Sequence, residues 1–158
     1  MRNWQEALTI DNNMLDARRI MEILPHRYPF LLIDRITACL AGASITALKN
    51  VTINEPYFQG HFPGRPVMPG VLVIETMAQA GGVLSHVTLG DVDPKPLFFL
   101  AGVNNARFRR TVLPGEQLIV QVDVEKIKRG IWFYKCSASV DGQVAVTADI
   151  TCAPGAQE

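Results

Sequence analysis

From Phe58 to Gly70 the chain reads Phe-Gln-Gly-His-Phe-Pro-Gly-Arg-Pro-Val-Met-Pro-Gly. This places one imidazole, His61, on a loop stiffened by Pro63, Pro66 and Pro69, since each proline fixes its own φ. Further on, a carboxyl, Glu75, stands in a helix-like run from Val71 to Ala80 that is otherwise apolar apart from Thr76 and Gln79. Burying a carboxyl without a partner is costly, and that cost is commonly tolerated where the group reacts. Gln79 lies at i+4 from Glu75, hence on the same helix face, where its amide could orient the carboxyl. Gly70 stands where the helix should begin. The first N–H groups of a helix lack internal partners and sit at the positive end of its dipole, so they can hold a developing oxyanion. A base, an acid and an oxyanion donor are the parts needed to remove water from a 3-hydroxyacyl thioester. The base takes the proton beside the carbonyl, the donor stabilises the enolate-like charge, and the acid protonates the departing hydroxyl.

Each residue also has a plainer reading. A histidine in a Gly/Pro loop is often a hydrogen-bonded structural residue, and Glu75 could pair with an arginine such as Arg65. Gly81-Gly82 could serve only close helix–sheet packing, and His26 and His86 read as structural or surface residues. It is the order of His61, Gly70, Glu75 and Gln79 together that points to chemistry.

The elements that must position these groups follow from periodicity. Asp16 caps a short helix predicted over Ala17 to Leu24, ended by Pro25. Leu31 to Cys39 and Ser44 to Thr52 are predicted strands joined by a hairpin at Ala41-Gly42. Asn54 to Pro69 is a loop, and the apolar helix runs from Gly70 to Leu89. Downstream, Leu118, Val120, Val122 and Val124 alternate with polar residues, as do Trp132 to Val140 and Val144 to Ile150, which is the period of a sheet with one buried face. Arg129-Gly130 and Asp141-Gly142 form tight turns between these strands, making them sequential antiparallel neighbours. Leu97 to Ala101, continuously apolar, reads as a central strand. The fold class is α+β, with an antiparallel sheet wrapped around one long helix.

Composition narrows the remaining classes. A chain of 158 residues, 48% hydrophobic, suits one domain over 1–158 with a short N-terminal segment, 1–14. Fifteen basic and fifteen acidic side chains cancel, so no global field draws the chain to nucleic acid or an anionic membrane. Met1 to Ile10 has no long apolar run, and Val67 to Leu84 is interrupted by Pro69, Glu75 and Gln79, so neither a leader nor a membrane span is expected. Cys39, Cys136 and Cys152 are odd in number and far apart, which fits a reducing cytoplasm and neither a disulfide frame nor a zinc site.

Three segments carry a resemblance: His26-Arg-Tyr-Pro-Phe-Leu-Leu-Ile-Asp34, Asn50 to Gly70, and Ala106-Arg-Phe-Arg-Arg110. From about Leu15 to Cys152 the sequence closely resembles the 3-hydroxyacyl-acyl-carrier-protein dehydratases of bacterial fatty-acid synthesis. The resemblance implies the hot-dog fold, a His61/Glu75 catalytic pair, Gly70 as backbone oxyanion donor, and Phe58 and Gln79 beside the substrate. It also implies a cytoplasmic enzyme of fatty-acid and lipid A biosynthesis that needs no metal or other cofactor. The related dehydratase–isomerases carry Asp at the position of Glu75, so Glu favours the simple dehydratase. Thr111, Tyr57 and Asn104-Asn105 depart from the pattern.

The implied partner is an acidic acyl carrier protein. With zero net charge, docking would need a local basic cluster, and Arg107, Arg109, Arg110, Lys126, Lys128 and Arg129 are the densest candidates. The resemblance further implies a homodimer, assembled into a hexamer, with His61 of one chain facing Glu75 of the other. An extended Phe62 to Pro69 segment, at about 3.1 Å per residue, would carry His61 away from its own helix. Two other classes stay open: a thioesterase on the same fold, and a carrier-binding module that would not need both His61 and Glu75.

Overall fold

The computed structural model describes residues 14–155, so the segment expected over 1–14 lies outside this range except for Met14. Helix α1, Ala17–Ile23, starts where Asp16 accepts the Arg19 N–H in its side chain at 2.9 Å, and Pro25 follows its C-cap. Strands β1 (Arg35–Leu40) and β2 (Ser44–Asn50) form a hairpin. A one-turn 3-10 helix, Pro56–Gln59, precedes α2, Gly70–Leu89, whose limits coincide with the predicted helix. The remaining strands are β3 (Phe98–Phe108), β4 (Gln117–Lys128), β5 (Ile131–Val140) and β6 (Gln143–Pro154).

The six strands form one antiparallel sheet in the order β1-β2-β4-β5-β6-β3, and α2 packs against β2, β4, β5 and β6. One face alternates into the core through Leu118, Val120 and Val122 on β4, Trp132, Tyr134, Cys136 and Ala138 on β5, and Val146, Ala148 and Ile150 on β6. These meet Val73, Met77, Ala80, Val83 and Leu84 of α2. Burying each large side chain of this kind contributes about 1.5–3 kcal/mol. The helix comes close because Gly81 has no side chain: a Cβ there would sit 2.9 Å from the Tyr134 ring. The Tyr134 hydroxyl donates to the Gly81 carbonyl and hydrogen-bonds Ser85, which pins the ring.

The predicted turns are present. Arg129-Gly130 and Asp141-Gly142 each hold two consecutive positive φ angles, the geometry of a type I′ hairpin, and they join β4 to β5 and β5 to β6. Two strand expectations need correction. The predicted strand Leu31 to Cys39 begins only at Arg35, because Leu32 and Ile33 are both buried and the Leu32 N–H is taken by a helix side chain. Of the run Leu97 to Ala101, expected as a central strand, Phe98 to Ala101 belong to β3, which lies at one edge of the sheet. Among the described residues β3 pairs only with β6, and Phe99, Leu100 and Val103 are exposed. Asn105, at φ 53, lies in the bulge that interrupts its register between Asn104 and Arg107. No helix among the described residues is long and apolar enough to cross a membrane.

Candidate active site

His61 is held by a turn that the sequence reading did not anticipate. The expectation of an extended Phe62 to Pro69 path is overturned: the Arg65 N–H donates to the Phe62 carbonyl at 2.8 Å and the Val67 N–H to the His61 carbonyl at 3.0 Å. The segment folds back because Pro63 and Gly64 occupy the two central positions of a β-turn, with Gly64 at φ 75 as a type II turn requires. The closed loop brings His61 Nδ1 to 2.7 Å from the Val67 carbonyl. A carbonyl can only accept, so Nδ1 carries the proton and Nε2 is left with the lone pair of a base.

That imidazole borders a cavity of about 580 Å³ lined also by Gly70, Val71, Val73, Phe108 and Val112. Helix α2 enters this cavity with its N-terminus, and its N-cap, Pro69, supplies no side-chain hydrogen bond. The first amides of the helix are therefore not capped by a side chain, at the positive end of a 20-residue dipole. Gly70 is further constrained by Phe108, whose ring lies 2.6 Å from where a Cβ would stand. His61 and the N-terminus of α2 thus share one largely apolar chamber.

Glu75 sits elsewhere in the chain's own fold and is not among the residues lining that cavity. Its Oε1 accepts from Gln79 Nε2 at 3.0 Å and lies 3.6 Å from His26 Nε2. Gln79 is 2% exposed, and its amide is fully engaged: Nε2 also donates to the Phe30 carbonyl at 2.7 Å, and Oε1 accepts the Leu32 N–H at 2.9 Å. The amide thereby ties the 26–32 loop to α2 and fixes which oxygen of Glu75 it meets. His26, read from the sequence as structural or surface, stands against Glu75, and burial pushes its pKa below the usual histidine value. The signal was present, since His26 opens one of the three segments on which the resemblance rests. Nearby Cys152 is a thiol that burial pushes up to about 12, and Cys39 is pushed up to about 11, so neither offers a thiolate at neutral pH.

Other expected site residues are placed differently. Phe58 is a core residue, 6% exposed and packed on Tyr57, and it does not line the cavity; it follows directly on Tyr57 in the 3-10 turn, whose buried side it forms. The six basic residues do not form one cluster. Arg107, Arg109 and Arg110 lie at the C-terminal end of β3 and just beyond it, with Arg109 and Arg110 lining the cavity. Lys126, Lys128 and Arg129 lie at the β4–β5 hairpin tip, three strands away, with Lys126 level with Gly102 and the other two past the level of Leu100, far from Arg107. Strands spaced about 4.8 Å apart put these groups on separate parts of the sheet. Arg110 is engaged within the chain, by Glu116 at 2.6 Å and by the Val140 carbonyl. Lys126 lies over the Phe133 ring.

Comparison with known proteins identifies the family and the fold. The FabA-like domain family matches residues 24–149. A 3-hydroxyacyl-[acyl-carrier-protein] dehydratase FabZ from Klebsiella pneumoniae is 49% identical over 146 residues, covering 92% of this chain and 97% of that protein. The FabZ of Cronobacter sakazakii is 47% identical over the same coverage. Among solved structures, a chain of the dehydratase heterocomplex ApeI:P from Xenorhabdus doucetiae superposes with a TM-score of 0.73 at 22% identity, covering 87% of this chain and 91% of that one. A mutant thioesterase from Pseudomonas aeruginosa superposes at 0.63 and 18% identity, over 89% and 96%. At such identities these structures establish the hot-dog fold alone.

Proposed function

The chain belongs to the FabA-like domain family, and from that membership we propose that it dehydrates (3R)-3-hydroxyacyl groups on acyl carrier protein to trans-2-enoyl groups during fatty-acid elongation. It is a hydro-lyase of the 3-hydroxyacyl-acyl-carrier-protein dehydratase type. The single observation that carries the mechanism is that His61 and the N-terminus of α2, which no side chain caps, open into the same cavity. His61 Nε2 takes the C2 proton, and the thioester oxygen, gaining charge, is held by the Gly70 N–H. Glu75 protonates the 3-hydroxyl as its C–O bond breaks, and the C2 electron pair forms the C2–C3 double bond as water leaves.

Glu75 reaches this chamber from a second copy of the chain. Support comes from the site being split within one chain and from the outer edge of β3, which no strand among the described residues pairs, with its exposed Phe99, Leu100 and Val103. A two-fold axis would turn those two facts into one interface and two identical sites. Three such dimers would form the hexamer, each chain contributing residues 1–158 as one domain.

The test is direct. With a 3-hydroxybutyryl thioester, absorbance of the conjugated enoyl thioester should rise and no free thiol should appear. Thiol release without enoyl formation would make the protein a thioesterase.

A further inference from the structure

We propose that His26 is a positioning residue for Glu75: its imidazole confines Glu75 Oε1 to the protein side and leaves Oε2 to deliver the proton to the departing hydroxyl. The inference rests on the reading of Glu75 as the acid and adds to it a residue from a different part of the chain. Three observations carry it. Oε1 is approached by two groups, Gln79 Nε2 at 3.0 Å and His26 Nε2 at 3.6 Å. Gln79 cannot swing away, since its amide is bound on both sides to the 26–32 loop. And His26 Nδ1 is buried with no hydrogen-bond partner among the described residues.

The last point sets the tautomer. A neutral imidazole carries one N–H and one lone pair. Putting the proton on Nδ1 would bury an unpaired donor, whereas putting it on Nε2 leaves only an unpaired acceptor and aims the donor at Glu75. Burial, which outweighs the attraction of Glu75, keeps the ring neutral, so it acts as a donor and not as a fixed cation that would hold Glu75 ionised. At 3.6 Å the contact is longer than a hydrogen bond. Catalytic contacts of this kind commonly tighten when substrate is bound.

The experiment compares kcat and KM for His26→Leu, His26→Gln and Glu75→Gln, with thermal unfolding of each. Gln carries an N–H about where Nε2 lies, and Leu fills similar space with no donor. His26→Leu should lower kcat about tenfold or more with KM within about twofold, and His26→Gln should recover most of that loss. Should His26→Leu fail to fold, His26→Asn, whose amide is too short to reach Glu75, takes its place. Inactive Glu75→Gln beside wild-type kcat in the Leu or Asn variant would overturn the role of His26 and leave Glu75 as the acid. Equal losses in the Gln variant and the donor-lacking one would also overturn it, because a donor would then not be what matters. Full activity in Glu75→Gln would remove the acid itself, and with it the positioning role.

Discussion

At the residue scale, the proposed reaction would rest on two side chains with opposite tasks. In that proposal His61 is the base, its Nδ1 bonded to the Val67 carbonyl, and Glu75 is the acid, its Oε1 held by Gln79. His61→Ala and Glu75→Gln should each lower kcat about a hundredfold to ten-thousandfold while leaving the unfolding temperature nearly unchanged. The double variant should lose little more than either, since the pair acts as a unit. His26 predicts a pH effect on stability whose sign follows from its lowered pKa. Its folded form binds fewer protons than the unfolded chain just below the ordinary histidine value of about 6.5. The stability that the neutral ring allows is therefore full above that value and is lost as pH falls through the folded pKa. Wild type should lose more melting temperature between neutral and mildly acid pH than His26→Gln; equal losses would mean that burial of His26 does not govern the acid limb.

At the element scale, two glycines on α2 make a contrast. A Cβ at Gly81 would stand 2.9 Å from the Tyr134 ring, which is fully buried and pinned by its hydroxyl. Gly81→Ala should therefore destabilise the fold by about 1–3 kcal/mol in denaturant unfolding. A Cβ at Gly70 would meet Phe108, which is 57% exposed and can swing outward. Gly70→Ala should cost little stability and much activity, because the displaced ring and the new methyl would crowd the proposed oxyanion site. Much of this scale was legible in the chain. The limits of α2 follow from Pro69, Gly70 and Gly90, and the hairpin turns from Arg129-Gly130 and Asp141-Gly142. The His61–Gly70 segment was legible as the candidate reactive loop, but its shape was not: counting prolines suggested extension, whereas the Pro63-Gly64 pair specifies a turn. The contact of His26 with Glu75 joins residues far apart in sequence, and nothing local encodes it. Nor does the apolar content of Leu97 to Ala101 reveal that β3 lies at an edge among the described residues, because a continuously apolar run has no alternation by which an edge and a centre could be told apart.

For the whole molecule, the split basic residues sharpen the docking prediction. Arg107 and Arg109 are exposed, Arg109 lines the cavity, and neither forms an ion pair among the described contacts. Reversing both to Glu should slow turnover of carrier-linked substrate, most strongly at low salt, and spare a small soluble thioester. Equal losses on both substrates would indicate damage to the site and not to docking. The division of the site inside one chain is the feature on which the account turns, for Glu75 is met by His26 and Gln79 while His61 lines a cavity that Glu75 does not. The most direct measurement mixes inactive His61→Ala subunits with inactive Glu75→Gln subunits under conditions of verified exchange and follows enoyl formation. The account predicts that activity returns, because each mixed dimer holds one site with both residues intact. Verified mixed dimers that remain inactive would contradict it, placing His61 and Glu75 of the same chain in each site.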